Sequence, residues 1–198
     1  MRGKWLLGLV AWAAVMTLGV GPAAAISWTE VGDAGTLPPV AQDAAVVGPL
    51  DAIIGALTGY DDIDMYKIAI TDPDAFSAIA TANLSVDNDA QLFVFDSNGF
   101  LVASDDDDGA GMLPAIFAGE LSGNPAGTYY LALDLWNTDP VGDPITGWNS
   151  NPGPQQTGPY QVDLTGAAGT GVVPEPVTIL GLCMGLGSLT GYLRRRAA

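Results

Sequence analysis

The central part of the chain consists of short apolar segments separated by turn-forming residues. Residues 65–70 alternate most clearly and place Tyr66, Ile68 and Ile70 on one face of a predicted strand. Further strands are predicted at residues 27–31, 50–57, 81–86, 91–95, 100–103, 126–135 and 158–164. No long amphipathic helix pattern occurs between them. The pattern predicts an all-β domain folded as an antiparallel β-sandwich.

The best-defined turn is the Asp-Ser-Asn-Gly sequence at residues 96–99. Asn-Gly favours the positive φ of a tight hairpin, so residues 91–95 and 100–103 are predicted to pair. Residues 112–121 fit either a strand or a short helix, and residues 137–158 contain four prolines that predict a surface excursion. The predicted core consists of Trp28, Tyr66, Ile68, Ile70, Phe76, Leu92, Val94, Leu131, Leu133, Tyr160 and Val162.

The first 25 residues have the features of a secretory signal peptide. A charged start with Arg2 and Lys4 precedes an apolar stretch, and the small residues Ala23 and Ala25 predict cleavage before Ile26. The alternative is an uncleaved transmembrane anchor, which the small residues before position 26 disfavour. The signal peptide places the rest of the chain outside the cytoplasm.

The C-terminal segment has three parts in a fixed order. Pro174-Glu175-Pro176 is a rigid break, because proline fixes φ and removes a backbone donor. Residues 177–193 carry no charge and, as a helix, span roughly 25 Å, at the short end of what crosses a bilayer. Arg194, Arg195 and Arg196 follow, and such a cluster stays on the cytoplasmic side.

This order of three parts resembles the PEP-CTERM sorting signal of Gram-negative bacteria. The resemblance implies recognition by the membrane protease-transpeptidase exosortase, cleavage near Glu175, transient residence in the inner membrane and delivery to the cell surface or matrix. The alternative is a plain one-helix anchor after a proline-rich linker. The predicted organisation is a signal peptide at 1–25, a domain at 26–166, a flexible spacer at 167–173 and a sorting signal at 174–198.

Charge and composition exclude several functions. All 22 acidic residues lie between Glu30 and Glu175, whereas Lys67 is the only basic residue of that region. Such a surface repels phosphates, so nucleic-acid binding is excluded, and it attracts divalent cations. The chain has no histidine, and its single cysteine, Cys183, lies in the tail, so triad catalysis and disulfides are excluded from the domain.

Several segments of the domain resemble bacterial pre-peptidase C-terminal (PPC) domains. They are residues 61–68 with their Asp-x-Asp-x-Tyr-like start, the hairpin at 92–99, the Ser-Asp-Asp loop at 104–108, and the glycine–tyrosine strands at 127–131 and 158–162. The resemblance covers most of residues 43–166 and implies a jelly-roll-like β-sandwich. In that family the domain accompanies secreted proteases, and this chain has no protease domain.

Two acidic groups are candidate calcium sites. They are Asp61, Asp62 and Asp64, and Asp105, Asp106, Asp107 and Asp108. Calcium needs six to eight oxygen ligands, and closely spaced carboxylates supply them. Neither group fits an EF-hand loop, since Gly109 as sixth residue would put Ala115 at the twelfth position. The alternative is that both are solvated acidic loops.

Two tryptophans flank the proline-rich segment. Trp136 and Trp148 are candidates for stacking on the sugar rings of an exopolysaccharide, or else they cover an edge of the core.

An enzyme would have to use paired carboxylates alone, as glycosidases do. The sequence therefore predicts an exported, non-catalytic surface or matrix protein with calcium as its candidate ligand. The alternative is a carbohydrate- or protein-binding module, and a more remote alternative is a carboxylate hydrolase.

Overall fold

The computed structural model describes residues 26–59, 62–81, 89–150 and 157–171. These residues contain one short 3-10 turn (Pro38–Val40) and no α-helix. Their strands are β1 (Ile26–Thr29), β2 (Gln42–Asp43), β3 (Leu50–Leu57), β4 (Asp64–Ile70), β5 (Ser77–Ala80), β6 (Ala90–Asp96), β7 (Leu101–Asp105), β8 (Ala115–Ile116), β9 (Gly127–Leu135), β10 (Thr138–Val141), β11 (Gly147–Ser150), β12 (Gly158–Thr165) and β13 (Ala167–Ala168). The all-β prediction is confirmed.

The strands form two large sheets and one hairpin. The five-stranded sheet has the order β1-β3-β12-β5-β8. The six-stranded sheet has the order β13-β4-β9-β6-β7, with β2 also paired to β4, and β10 pairs with β11. Side chains of both large sheets meet in one apolar cluster, so the architecture is a sandwich.

The core lies between the two large sheets. Ten of the eleven predicted core residues are buried in it, and Trp28 packs against it partly exposed. In β4, Tyr66, Ile68 and Ile70 face this core while Lys67 is half-exposed, as the alternation predicts. Each such large side chain contributes roughly 1.5–3 kcal/mol through its removal from water.

A second apolar cluster covers the outer face of the six-stranded sheet. It includes Met65, Phe93 and Phe95, with Ile145 and Trp148 from the β10–β11 segment packed onto them. The predicted surface excursion at 137–158 is therefore wrong in part, because half of it is a hairpin that buries apolar side chains of β6. The proline content did not prevent pairing, since Pro140 lies in a two-stranded ribbon with a free edge.

The predicted β6–β7 hairpin is confirmed, with a different turn geometry. Gly99 has φ +87°, whereas Asn98 is not among the residues with positive φ. The Asp96 carboxylate accepts hydrogen bonds from the backbone N–H groups of Asn98 (2.8 Å) and Phe100 (2.9 Å), and the register shifts between Val94 and Phe95. The turn is thus longer than a two-residue loop and contains a bulge.

Two pairings depart from the predicted antiparallel arrangement. β1 runs parallel to β3, and β2 runs parallel to β4. Both lie in the N-terminal segment, which crosses from one sheet to the other at one end of the sandwich. Residues 112–121 form the two-residue strand β8 followed by turns. The strand predicted at 81–86 lies, except for residue 81, outside the described residues, and the strand observed before it is Ser77–Ala80.

Residues 167–171 belong to the fold rather than to a flexible spacer. Ala167 is buried, and β13 pairs with the end of β4. The backbone N–H groups of Gly169, Thr170 and Gly171 donate to carbonyl oxygens of residues 44–48. The spacer prediction was wrong here because small residues allow this close backbone approach.

The predicted terminal segments lie outside the described residues. This concerns the signal peptide at 1–25 and the sorting signal at 174–198 with its helix at 177–193. Within the part of the chain that the structure describes, no helix has the length and apolarity needed to span a bilayer.

Candidate metal centre

Three carboxylates converge at the end of the sandwich where the N-terminal segment crosses between the sheets. One oxygen atom from each of Asp33, Asp62 and Asp64 lies within 4.8 Å of the others. Asp33 is exposed, Asp62 is half-buried and Asp64 is fully buried. The group therefore extends from solvent into the protein interior.

Asp64 is held by a chain of buried hydroxyl groups. The Tyr160 hydroxyl donates to Asp64 Oδ2 over 2.6 Å, and the Tyr66 and Tyr160 hydroxyl oxygens lie 2.6 Å apart. Gly55 leaves room for this pair, because a Cβ there would collide with the Tyr160 hydroxyl and come within 2.7 Å of the Tyr66 hydroxyl. Asp64 Oδ1 is buried and has no hydrogen-bond partner.

The surroundings of Asp64 disfavour its charge. Burial raises the pKa of Asp64 to about 7, the Tyr160 hydrogen bond opposes this rise, and the nearby Glu30, Asp62 and Asp33 carboxylates add to it. Burial also raises the pKa of Glu30, whose Oε2 accepts from the Ala56 N–H over 2.9 Å. A divalent cation would relieve the repulsion among these acids.

Local backbone geometry positions the two outer acids. Asp62 Oδ2 accepts from the backbone N–H of Thr58 and from its Oγ1 over 2.7 Å. Asp33 Oδ1 accepts from the Gly35 N–H over 3.0 Å, and the Gly35 carbonyl accepts from Met65 N–H over 2.9 Å. The loop that carries Asp33 is thereby fixed beside the first residues of β4.

The second predicted acidic group is open to solvent. Asp105, Asp107 and Asp108 each offer an oxygen within 4.8 Å of the others, while Asp106 lies outside the trio. Asp105 Oδ2 already accepts from the N–H groups of Asp108 (3.0 Å) and Ala115 (2.8 Å). Repulsion from Asp105 raises the pKa of Asp108. No unpartnered buried carboxylate oxygen occurs in this trio, so it resembles a solvated acidic loop more than the Asp64 group does.

The structure brings together part of the first predicted group and adds Asp33 to it, with Glu30 near enough to raise the pKa of Asp64. Asp62 and Asp64 converge as predicted, and Asp61 lies outside the described residues. Asp33 and Glu30 were missed, because the sequence does not show that the loop after β1 packs beside the start of β4. The only available signal was that both acids lie in or close to the short strand predicted at residues 27–31.

The two candidate sugar-binding tryptophans have different environments. Trp136 is 55% exposed. Trp148 Nε1 donates to the Thr36 carbonyl over 2.6 Å, and its ring packs edge-on against Phe93 and Phe95 at 5.4 and 6.1 Å. Trp148 therefore has the core-covering role that the sequence left open.

The sorting and cleavage residues predicted from the sequence lie outside the described residues. They are Ala23, Ala25, Pro174, Glu175, Pro176, Arg194, Arg195 and Arg196. No protein-family model matches the sequence, and no curated protein is similar to it.

Proposed function

We propose that this chain is an exported, non-catalytic protein of the cell surface or extracellular matrix, which binds calcium at Asp33, Asp62 and Asp64. The proposal rests on one observation: Asp64, whose buried Oδ1 has no hydrogen-bond partner, belongs to a group of three carboxylates with oxygens within 4.8 Å of one another. Three clustered carboxylates match the oxygen ligands that calcium prefers. Calcium at this position would join the N-terminal segment to β4.

The expected contribution of calcium to stability is modest. Extracellular calcium sites have dissociation constants of ~10⁻⁴–10⁻³ M. At one to ten times that concentration, binding stabilises the folded state by about 0.4–1.4 kcal/mol. The ion would thus adjust the stability of a preformed fold and order the loops around it.

The proposal of export and sorting is supported by the sequences of the two terminal segments. The proposed route uses the secretion machinery, a transient inner-membrane stage and exosortase cleavage near Pro174-Glu175-Pro176. Hydrogen bonds of the described fold extend to Gly171, so a cut three or more residues later removes none of them. We further propose a jelly-roll-like, PPC-like topology for the sandwich, for which the two packed sheets provide the architecture.

The calcium site is tested by thermal unfolding of the protein in chelator and in millimolar calcium. We expect calcium to raise the melting temperature by about 1–5 °C. Asp62→Asn and Asp64→Asn should each abolish this shift, whereas Asp107→Asn, in the solvated acidic loop, should retain it. A shift that survives Asp64→Asn, or that disappears only with Asp107→Asn, would refute the site at Asp64.

The route is tested by fractionation of cells that express the full chain. We expect a membrane-associated precursor and a shorter surface or matrix form whose C-terminus lies near Pro174. Removal of Arg194, Arg195 and Arg196 should block this conversion. An uncut chain in the cytosol would contradict the proposal.

A second candidate function is binding of exopolysaccharide through Trp136. Its large exposed indole face is the observation in favour, since sugar rings stack on such faces. Retention of the protein on purified matrix polysaccharide, and its loss in Trp136→Ala but not in Val141→Ala, would support this function. Equal retention of both variants would exclude it.

A further inference from the structure

Each carboxylate of the proposed calcium site keeps one oxygen out of the protein's own hydrogen bonds. Asp33 Oδ1, Asp62 Oδ2 and Asp64 Oδ2 accept hydrogen bonds from neighbouring backbone N–H or hydroxyl groups. Among the described residues, no hydrogen bond reaches Asp33 Oδ2, Asp62 Oδ1 or the buried Asp64 Oδ1. The group therefore offers three free oxygens to a cation.

Three oxygens do not complete the coordination of calcium. Calcium takes about six to eight oxygen ligands, so at least three positions remain for oxygens from outside this group. Asp64 is fully buried, Asp62 is half-buried and Asp33 is exposed, so the group opens to solvent on the side of Asp33. Oxygens of another molecule can replace water at the remaining positions from that side.

The charge of the group selects the kind of oxygen that binds there. Three carboxylates carry more negative charge than the two positive charges of calcium, and Glu30 lies close enough to add to the repulsion on Asp64. This surplus repels an anionic ligand. It does not repel neutral hydroxyl groups, and two hydroxyls on adjacent carbons of a sugar ring present two oxygens to the ion at once.

An exposed indole stands at the same end of the sandwich. Asp64 is the cross-strand partner of Leu133, and Trp136 follows three residues later, roughly 10 Å along the strand direction. More than half of the Trp136 side chain is exposed. Sugar rings stack on such faces. A single oligosaccharide can therefore meet both the open side of the carboxylate group and an aromatic face.

We propose, on the basis of the calcium site proposed above, that calcium held by the three carboxylates binds a neutral polysaccharide through two adjacent hydroxyl groups of one sugar. Trp136 stacks on another sugar ring of the same polymer. Calcium is thereby a ligand-binding ion as well as a stabilising one, and the polysaccharide is held only while the ion is bound.

The test measures retention of the full-length protein, in mild detergent, on beads that carry neutral mannan and separately on beads that carry neutral galactan. These polymers present adjacent hydroxyl groups in different orientations. In millimolar calcium we expect retention on at least one polymer, with release by chelator. Absence of retention on both polymers overturns the proposal, as does equal retention in calcium and in chelator.

Thermal unfolding of the same samples separates the sugar ligand from the calcium site. If calcium raises the melting temperature and neither polymer retains the protein, the calcium site stands and the sugar ligand is wrong. If calcium does not change the melting temperature, both proposals fall.

Competing sugars test the preference for a neutral ligand. At constant ionic strength, methyl mannoside should release the protein from mannan at a lower concentration than glucuronate does, and methyl galactoside should do the same on galactan. Release by glucuronate at the lower concentration overturns the preference for neutral hydroxyl groups.

Variants assign the two contacts. Trp136→Ala should weaken retention about three- to tenfold and leave the calcium-induced rise in melting temperature intact. Asp33→Asn should abolish retention, whereas Asp107→Asn, which removes the same charge from the solvated acidic loop, should preserve it. Unchanged retention in Asp33→Asn, or equal losses in Asp33→Asn and Asp107→Asn, overturns the proposal, and unchanged retention in Trp136→Ala overturns the stacking contact.

Discussion

At the scale of single residues, Gly55 determines whether the buried tyrosine pair fits. Gly55→Ala would place a methyl group against the Tyr160 and Tyr66 hydroxyls, so we expect a loss of about 1–3 kcal/mol in unfolding free energy. Urea denaturation measures this loss. Gly147→Ala is the matched control, since a Cβ there meets no atom within 4 Å and should change stability far less. Equal effects of both substitutions would contradict the steric explanation.

Asp134 should make stability depend on pH. Burial raises the pKa of Asp134 well above its ordinary value of 3.8, so the folded protein retains a proton that the unfolded chain has already lost. The unfolding free energy from this residue is therefore highest below about pH 4 and falls as pH rises towards the folded-state pKa. Denaturation between pH 4 and 8 should show a smaller decline for Asp134→Asn than for the unsubstituted protein. Parallel curves would show that Asp134 is ionised when folded.

The sequence predicts some site residues and conceals others. Asp62 and Asp64 are predictable because they are close in sequence and precede an alternating strand. Asp33 and Glu30 reach the same place only through the parallel pairing of β1 with β3. Asp134 is buried and its carboxylate has no hydrogen-bond partner. The residue types around it in the sequence do not reveal this burial.

At the scale of elements, the β10–β11 hairpin forms a cover over the outer face of the six-stranded sheet. Trp148→Ala would remove the ring that packs against Phe93 and Phe95, so we expect a loss of about 3 kcal/mol in unfolding free energy. Trp136→Ala, at a 55% exposed position, should cost about 0.5 kcal/mol or less.

Thermal unfolding of the two tryptophan variants distinguishes the roles of these residues. A large melting-temperature decrease in Trp136→Ala with little change in Trp148→Ala would contradict the assignment of Trp148 to the second apolar cluster. Intrinsic fluorescence provides a second check. Trp148→Ala should remove the emission of a packed indole, whereas Trp136→Ala should remove the emission of an exposed one.

Strand β6 shows why this cover was missed in the sequence. Its Leu-Phe-Val-Phe run at residues 92–95 does not alternate, and such runs are typical of strands buried on both faces. The run therefore predicts a second covering layer, but not which segment provides it. The proline-rich composition of residues 137–158 favoured an irregular loop, and tertiary packing against β6 overrode that local preference.

At the scale of the whole molecule, residues 167–171 complete the fold. A chain that ends after residue 166 loses β13 and the hydrogen bonds of residues 169–171 to the 44–48 segment, so its melting temperature should fall by several degrees. A chain that ends after residue 173 should unfold at the same temperature as the full protein. Thermal scans of both truncations check this, and equal melting temperatures would show that the segment contributes nothing.

The fold class was predictable, whereas the strand arrangement was not. Regular turn signals and period-two segments identify many short strands, and ten of the eleven predicted core residues are buried together. Strand direction leaves no such mark, because a parallel and an antiparallel strand have the same alternation. The parallel positions of β1 and β2 follow from the course of the N-terminal segment around the end of the sandwich.

The position of β12 has a consequence for the time at which the protein folds. β12 lies between β3 and β5 and pairs with both, so the middle of the five-stranded sheet consists of segments from opposite ends of the domain. Pairings between such distant segments form slowly. A chain that emerges N-terminus first, from a ribosome or through a narrow channel, cannot close this sheet until residue 165 has appeared. The domain thus stays incompletely folded while most of the chain emerges, and it reaches its native structure only after β12 has emerged.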